Sequence, residues 1–313
     1  MGEESPAFRE IAHGLRFPEG PVVLPDGSVL VVELARGTLS RIAPSGRVEV
    51  VAETGGGPNG AAIGPDGKVY LCNNGGMEWR EGKRGGLRPV GPAADYVSGS
   101  IQRIDLATGQ VETLYEAGPH GRLGAPNDIV FDRNGGFWFT DLGKAFHRHA
   151  QRGGVFYAKA DGSEIREAIF PLITPNGIGL SAEEDRLYVA ETQTGRLWEF
   201  ELSAPGEIAR LPWPPSLNGG RLLFGSSSFQ YFDSLAVDSA GNICVATVYG
   251  TGITVVAKGG GQRRHVPLPD YLTTNIAFGG PELKTAYVTL SSTGRLVAFD
   301  WDVPGLPLNF LNT

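Results

Sequence analysis

Short apolar runs broken by turn residues recur along the chain, and none approaches the length of a membrane span. One pattern repeats: a polar residue, an apolar run, a tight turn, and a second apolar run. It opens at Glu19 (Glu-Gly-Pro-Val-Val-Leu-Pro-Asp-Gly), Asn59 (Asn-Gly-Ala-Ala-Ile-Gly-Pro-Asp-Gly) and Asn127 (Asn-Asp-Ile-Val-Phe-Asp-Arg-Asn-Gly), and again at Asn176, Asp233 and Asn275. Successive starts lie 40, 68, 49, 57 and 42 residues apart. The unit is therefore about 40 residues with insertions, the size of a four-stranded propeller blade. A turn follows each start at offset seven, as Asp26-Gly27, Asp66-Gly67 and Asn134-Gly135 in the first three copies, and Asp-Gly and Asn-Gly are strong hairpin signals. Six copies predict an all-β fold, a single six-bladed β-propeller over residues 1–313 with four-stranded blades around a central channel. The segment from Phe8 to Ala12 is expected to pair with the last blade and close the ring.

Composition agrees with this pattern. The 313 residues include 46 Gly and 22 Pro, with 19% charged and 41% hydrophobic residues. That is too much turn former and too little charge for a helical bundle, and enough apolar content for a core. The net charge of −7 and the absence of a Lys/Arg run argue against a nucleic-acid partner; the nearest approach, Arg80, Lys83, Arg84 and Arg88, is diluted by Gly, Glu and Pro. Cys72 and Cys244 each sit in an apolar run and read as buried free thiols. Residues 1–10 are polar with no apolar leader, so a soluble cytoplasmic chain with no membrane partner is expected.

The six starting positions should share one end of the channel, because the first strand of each propeller blade lines it. Glu19, Asn59, Asn127, Asn176, Asp233 and Asn275 all carry a side-chain oxygen. Hard oxygen donors with two negative charges suit Ca2+, and less specifically Mg2+ or Mn2+; Zn2+ is a further divalent candidate. If the turns lie at offset seven, residues at offset fourteen face the donors. Glu33, Asn73, Asp141, Thr247 and Thr289, with Glu191 one residue later, would then orient the inner ligands from a second layer.

Residues 75–99 form a long insertion leaving Asn74 at the metal end, expected to be a lid or surface loop, with Met77 and Trp79 as its apolar surface. Residues 212–232 lead into Asp233 and offer a second wall. His147 and His149 form a His-x-His pair with no third soft ligand nearby, so His147 reads as a pocket residue rather than a zinc ligand.

Phe17-Pro-Glu-Gly-Pro, Pro126-Asn-Asp, Pro175-Asn-Gly-Ile, Ala190-Glu-Thr with Gly195-Arg-Leu-Trp-Glu-Phe, and Thr274-Asn-Ile-Ala-Phe-Gly-Gly occur in this order over nearly the whole chain. In this the chain resembles the senescence marker protein, gluconolactonase and luciferin-regenerating enzyme superfamily. The resemblance implies a six-bladed propeller, a Ca2+ or related ion in the channel, and often lactone hydrolysis. It implies metal binding by Glu19, Asn127, Asn176 and Asp233, substrate contact at Asn127, and a base or nucleophile role for Asp233. Two positions depart from the family pattern: Ser234 stands where the family commonly has Gly after the Asp, and Ala125 stands where sugar-lactonase members often carry Arg. The second departure argues against a sugar-acid lactone.

The leading expectation is a divalent-metal-dependent hydrolase, a lactonase acting on a small-molecule lactone or ester, with Asp233 catalytic and Asn127, His147 and Trp79 contacting substrate. The alternatives are phosphotriester hydrolysis at the same metal, as in squid-type diisopropylfluorophosphatase, or a non-catalytic Ca2+-binding or interaction propeller. A Ser-His-Asp or Gly-x-Ser-x-Gly arrangement is missing from the sequence.

Overall fold

Alternating apolar positions and glycine turns favour hairpins over helices, and the computed structural model, which describes residues 5–82 and 85–313, is built almost wholly of strands. Lys83 and Arg84, within the insertion and the basic cluster noted above, lie outside the described residues, as do residues 1–4. The described residues form six antiparallel blades. The first comprises Pro18–Val23, Val29–Glu33, Thr38–Ile42 and Val48–Glu53. The inner strands of the other five are Pro58–Ile63, Pro126–Phe131, Pro175–Leu180, Tyr231–Val237 and Thr273–Gly279. Each inner strand packs against the next and the sixth against the first, so the ring is closed. Arg9–Ala12 pairs with Arg295–Asp300 as the outer strand of the sixth blade, as the sequence predicts.

The second strand of each blade is buried along its length, apart from Arg186 at the start of the one in the fourth blade, because it is covered by neighbouring blades on both faces. Between the second and third blades the core is aromatic, with Phe139 stacked on Phe156 at 5.2 Å and Tyr70 edge-on to Phe131 at 5.0 Å. Cys72 and Cys244 are buried free thiols.

The register differs by one from that expected. Glu33, Asn73, Asp141 and Glu191 pair with Pro18, Pro58, Pro126 and Pro175, the residues before the donors. Thr247 likewise pairs with Phe232, whereas Thr289 faces Asn275. The cause is a bulge just after the donor in the first five inner strands, which inserts a residue and turns the donor toward the channel. Glycine after the donor serves close approach. A Cβ on Gly60 would sit 2.6 Å from the Asn127 carbonyl oxygen, and one on Gly177 would sit 2.7 Å from that of Asp233. Removing the side chain lets neighbouring inner strands meet backbone to backbone.

The insertion over 75–99 is more ordered than a loop: Met77–Glu81 and Leu87–Pro92 pair as an antiparallel hairpin. In the region 212–232, Arg221–Gly225 pairs with the third strand of the fourth blade. No helix among the described residues is long and apolar enough to cross a membrane.

Candidate metal and substrate site

Two cavities mark the two ends of the channel. One, of about 490 Å³, is lined by Asp128, Asn275 and the C-terminal residues Leu306 to Asn309. The other, of about 680 Å³, is lined by Glu19, Asn59, Asn127, Asn176 and Asp233. Five of the six repeat-start residues therefore meet in one cavity. The sixth, Asn275, lines the opposite one, and its Nδ2 donates to Glu19 Oε2 at 2.8 Å.

The donors are held with their oxygens uncommitted or nearly so. Asn127 Oδ1 is buried and has no hydrogen-bond partner, an arrangement native interiors avoid unless a ligand completes it. Asn176 Nδ2 donates to Thr192 Oγ1 at 3.0 Å, and its Oδ1 accepts only a long bond from Ser234 Oγ at 3.4 Å. Glu19 Oε2 accepts the Gly20 N–H at 2.9 Å. Burial raises the Glu19 carboxyl above its ordinary value, against hydrogen bonds from Thr274, Asn275 and Gly20. Burial raises Asp233 well above its ordinary value, and the Glu19 carboxylate adds to this. Below them burial pushes Asp128 up to about 7. No cation figures among the groups acting on Glu19 or Asp233 among the described residues. Two carboxylates confined in this way repel unless a positive charge joins them. No group of three or more His, Cys, Asp or Glu gathers among the described residues; the set is two acids and three amides, a composition for a hard cation rather than a soft one. The residues present thus fit a hard divalent ion.

Behind the donors, Glu33, Asn73, Asp141 and Glu191 are buried. They accept backbone N–H groups of the loops entering each inner strand: Arg16 at 2.7 Å, Gly57 at 2.9 Å, Gly124 and Ala125 at 2.7 and 2.6 Å, and Ile173 at 2.7 Å. They fix the approach of the chain to each donor rather than the donor side chain itself.

The rest of the cavity is largely apolar. Trp79 lines it with its ring 4.7 Å from Phe17, and Met77, Pro89, Val90 and Leu142 add to the wall. Tyr231 and Tyr249 form another side, 5.4 Å apart and edge to face. Phe229 stacks on Tyr249 at 5.8 Å and Tyr249 on Tyr271 at 6.3 Å, which extends an aromatic row outward. Ala125 and His147 also line the cavity, while His149 stacks on Phe146 at 4.7 Å. Sequence reasoning missed Phe17, Tyr231, Tyr249 and Lys144. Tyr231 stands two residues before Asp233 in one strand, an alternation that signals a shared face; Phe17, which precedes its strand at a φ of 59°, Tyr249 and Lys144 have no such signal.

A family model described as SMP-30/Gluconolactonase/LRE-like region matches residues 17–292. Over 265 residues the chain is 25% identical to a gluconolactonase of Zymomonas mobilis, covering 74% of this chain and 65% of that protein. It is 30% identical over 238 residues to lactonase drp35 of Staphylococcus saprophyticus, covering 74% of this chain and 63% of the other. The chain thus spans just under two thirds of the length of these curated relatives. The solved structure of regucalcin from Agrobacterium tumefaciens, a calcium-binding protein, superposes with a TM-score of 0.74 at 18% identity over 98% of each chain, a likeness of fold.

Proposed function

This chain belongs to the SMP-30/gluconolactonase/LRE-like family, and from that premise we propose that it is a divalent-cation-dependent hydrolase that opens a lactone. The observation that carries this reading is the buried meeting of two carboxylates and three amide side chains in one cavity, with Asn127 Oδ1 left unpartnered. Two relatives bear the names gluconolactonase and lactonase, which supports a lactone as substrate. Glu19, Asn127, Asn176 and Asp233 would hold the ion, with Ca2+ best suited to these oxygens and Mg2+, Mn2+ or Zn2+ as alternatives. When bound, such an ion supplies Lewis-acid polarisation of the ester carbonyl and balances charge developing on its oxygen.

The chain's own groups do the rest. The Asp233 carboxylate takes a proton from water as the water oxygen bonds to the carbonyl carbon. The ring C–O bond breaks, the proton passes to the leaving oxygen, and the product is the hydroxy acid. Asn275 and the Gly20 N–H hold the Glu19 carboxylate in place. Phe17, Trp79, Tyr231 and Tyr249 exclude water from the cavity, and His147 offers a polar contact. Ala125 leaves the cavity without a guanidinium at that position, and the aromatic walls favour an alkyl or aryl substituent over a sugar chain.

Asp233→Asn tests the assignment. It removes a negative charge and the base while keeping shape, so turnover of an aryl or alkyl lactone should fall by about 10²-fold or more with the thermal midpoint of the purified protein retained. Near-normal turnover in a folded variant removes Asp233 from the mechanism.

A further inference from the structure

Lys144 lies three residues beyond the second strand of the third blade, and among the described residues it is the one buried lysine. An apolar side chain of the same length would fill this space without desolvating a charge, so what the ammonium touches needs explaining. Its Nζ donates to the Asn74 carbonyl oxygen at 2.5 Å, to the Gly76 carbonyl oxygen at 2.9 Å and to Asn74 Oδ1 at 3.3 Å. It also sits 4.5 Å from the centroid of the Tyr96 ring. Every one of these partners flanks the hairpin formed by Met77–Glu81 and Leu87–Pro92. Asn74 and Gly76 lead into it, and Tyr96 follows its return. The two roots are tied to each other by the Ala93 N–H donating to the Gly76 carbonyl at 3.2 Å, and the Tyr96 hydroxyl donates to the Gly124 carbonyl at 2.6 Å.

The far part of the hairpin reaches across the cavity. Trp79 packs on Phe17 of the first blade, and the Leu87 N–H donates to the Ser292 carbonyl of the sixth blade at 2.9 Å. The hairpin therefore leaves the second blade, is gripped at its root from the third, and lands on the first and sixth. Met77, Trp79, Pro89 and Val90 are its contribution to the cavity wall.

An ammonium has three N–H donors, and three oxygens account for them. None is left for a substrate oxygen, which separates Lys144 from the reacting groups although it lines the same cavity. Burial lowers its pKa to about 8, with Asp141 acting in the other direction, so it keeps its charge at neutral pH.

We propose that Lys144 is a positioning residue that locks the paired strands Met77–Glu81 and Leu87–Pro92 across the mouth of the cavity and so sets the apolar wall against which substrate binds. The lock stands on the contacts alone; its consequence for substrate rests on the lactonase reading.

Hydrogen exchange of the full chain tests the lock without any substrate. Lys144→Met leaves the buried Asn74 carbonyl oxygen without its donor, while the Gly76 carbonyl keeps the Ala93 N–H, and such a loss shifts a local opening equilibrium by about ten-fold or more. Amides in 77–92 should then exchange at least about ten-fold faster while the inner strands of all six blades keep their protection. If Lys144→Met does not fold, Tyr96→Leu, which removes the ring face under the ammonium, compared with Tyr96→Phe, which removes only the hydroxyl bond to Gly124, should give a smaller increase in the same segment that Tyr96→Phe does not give. Unchanged protection of the hairpin in a folded variant, or an equal loss across all blades, overturns the proposal. On an aryl lactone, Lys144→Met should raise KM about ten-fold with kcat within about two-fold, the pattern of lost uniform binding; a fall in kcat with KM unchanged overturns the positioning role. A wild-type protein that turns over no lactone overturns the proposed function and leaves the exchange result to decide the lock.

Discussion

Tyr249 holds its backbone at a φ of 63°, a conformation a bulky residue keeps only where its surroundings over-determine it. Here the surroundings are Phe229, Tyr231 and Tyr271, and 49% of the Tyr249 surface still faces solvent beside the cavity. An exposed ring fixed by strain at a cavity mouth is suited to stacking on a ligand. Tyr249→Ala should raise KM for an aryl-substituted lactone by about three- to ten-fold, the worth of an aromatic pair with its buried area, and leave an unsubstituted lactone nearly unaffected. Steady-state kinetics with the two substrates compared checks this; equal effects on both contradict it.

Lys144 gives a pH signature. Burial holds its folded-state pKa at about 8, below the ordinary value of about 10.4 it regains on unfolding. Between those two values the unfolded chain binds more protons, so this residue adds stability as pH rises through the window and loses it as pH falls through 8. The unfolding free energy of wild type relative to Lys144→Met, from denaturant titrations at pH 7.5 and pH 10, should therefore rise at the higher pH. A pH-independent difference contradicts the assignment.

That Glu19, Asn59, Asn127, Asn176 and Asp233 line one cavity was legible because they occupy one phase of a repeat. The same phase also selected Asn275, which serves Glu19 from the opposite cavity. Lys144 was not legible: its partners are backbone carbonyls some 70 residues earlier, and no local spacing encodes them.

Among the elements, strand positions followed from alternation and turn residues, but their register did not. The bulge after each of the first five donors uses Gly20, Gly60, Asp128, Gly177 and Ser234, and in sequence a Gly there is indistinguishable from an ordinary turn residue. The one-residue shift reassigns Glu33, Asn73, Asp141 and Glu191 from the donor side chains to the loops that feed them. The hairpin at 77–92 was legible only as an insertion. Its strands are exposed or half-buried apart from Leu87, and what orders them lies elsewhere in the chain, at Phe17, Lys144 and Ser292. The strand Arg9–Ala12 makes a prediction of its own, since it alone completes the sixth blade. Deleting residues 1–12 exposes the edge of Arg295–Asp300 and the packing of Ala12, removing about 2 kcal/mol of burial. The thermal midpoint should fall by roughly 3 °C; an unchanged midpoint would mean that the ring does not depend on this closure.

At the scale of the whole molecule, closure of six blades turns a sequence repeat into a single point in space. Residues 214 positions apart, Glu19 and Asp233, meet in one cavity only because the ring closes. The C-terminal residues line the cavity at the opposite end of the channel, with Phe310 edge-on to Phe131 at 5.8 Å, while the hairpin borders the cavity at the end of Glu19 and Asp233. This geometry brings buried negative charge together, and no cation among the described residues acts on it; the proposed divalent ion would balance that charge. The most direct measurement is the rate of aryl-lactone hydrolysis by protein stripped with a chelator, before and after Ca2+ is returned. Turnover should fall about 10²-fold or more on stripping and recover as roughly one ion per chain is bound, with Glu19→Gln showing no recovery. Turnover that ignores the chelator, or that none of Ca2+, Mg2+, Mn2+ and Zn2+ restores, contradicts the account.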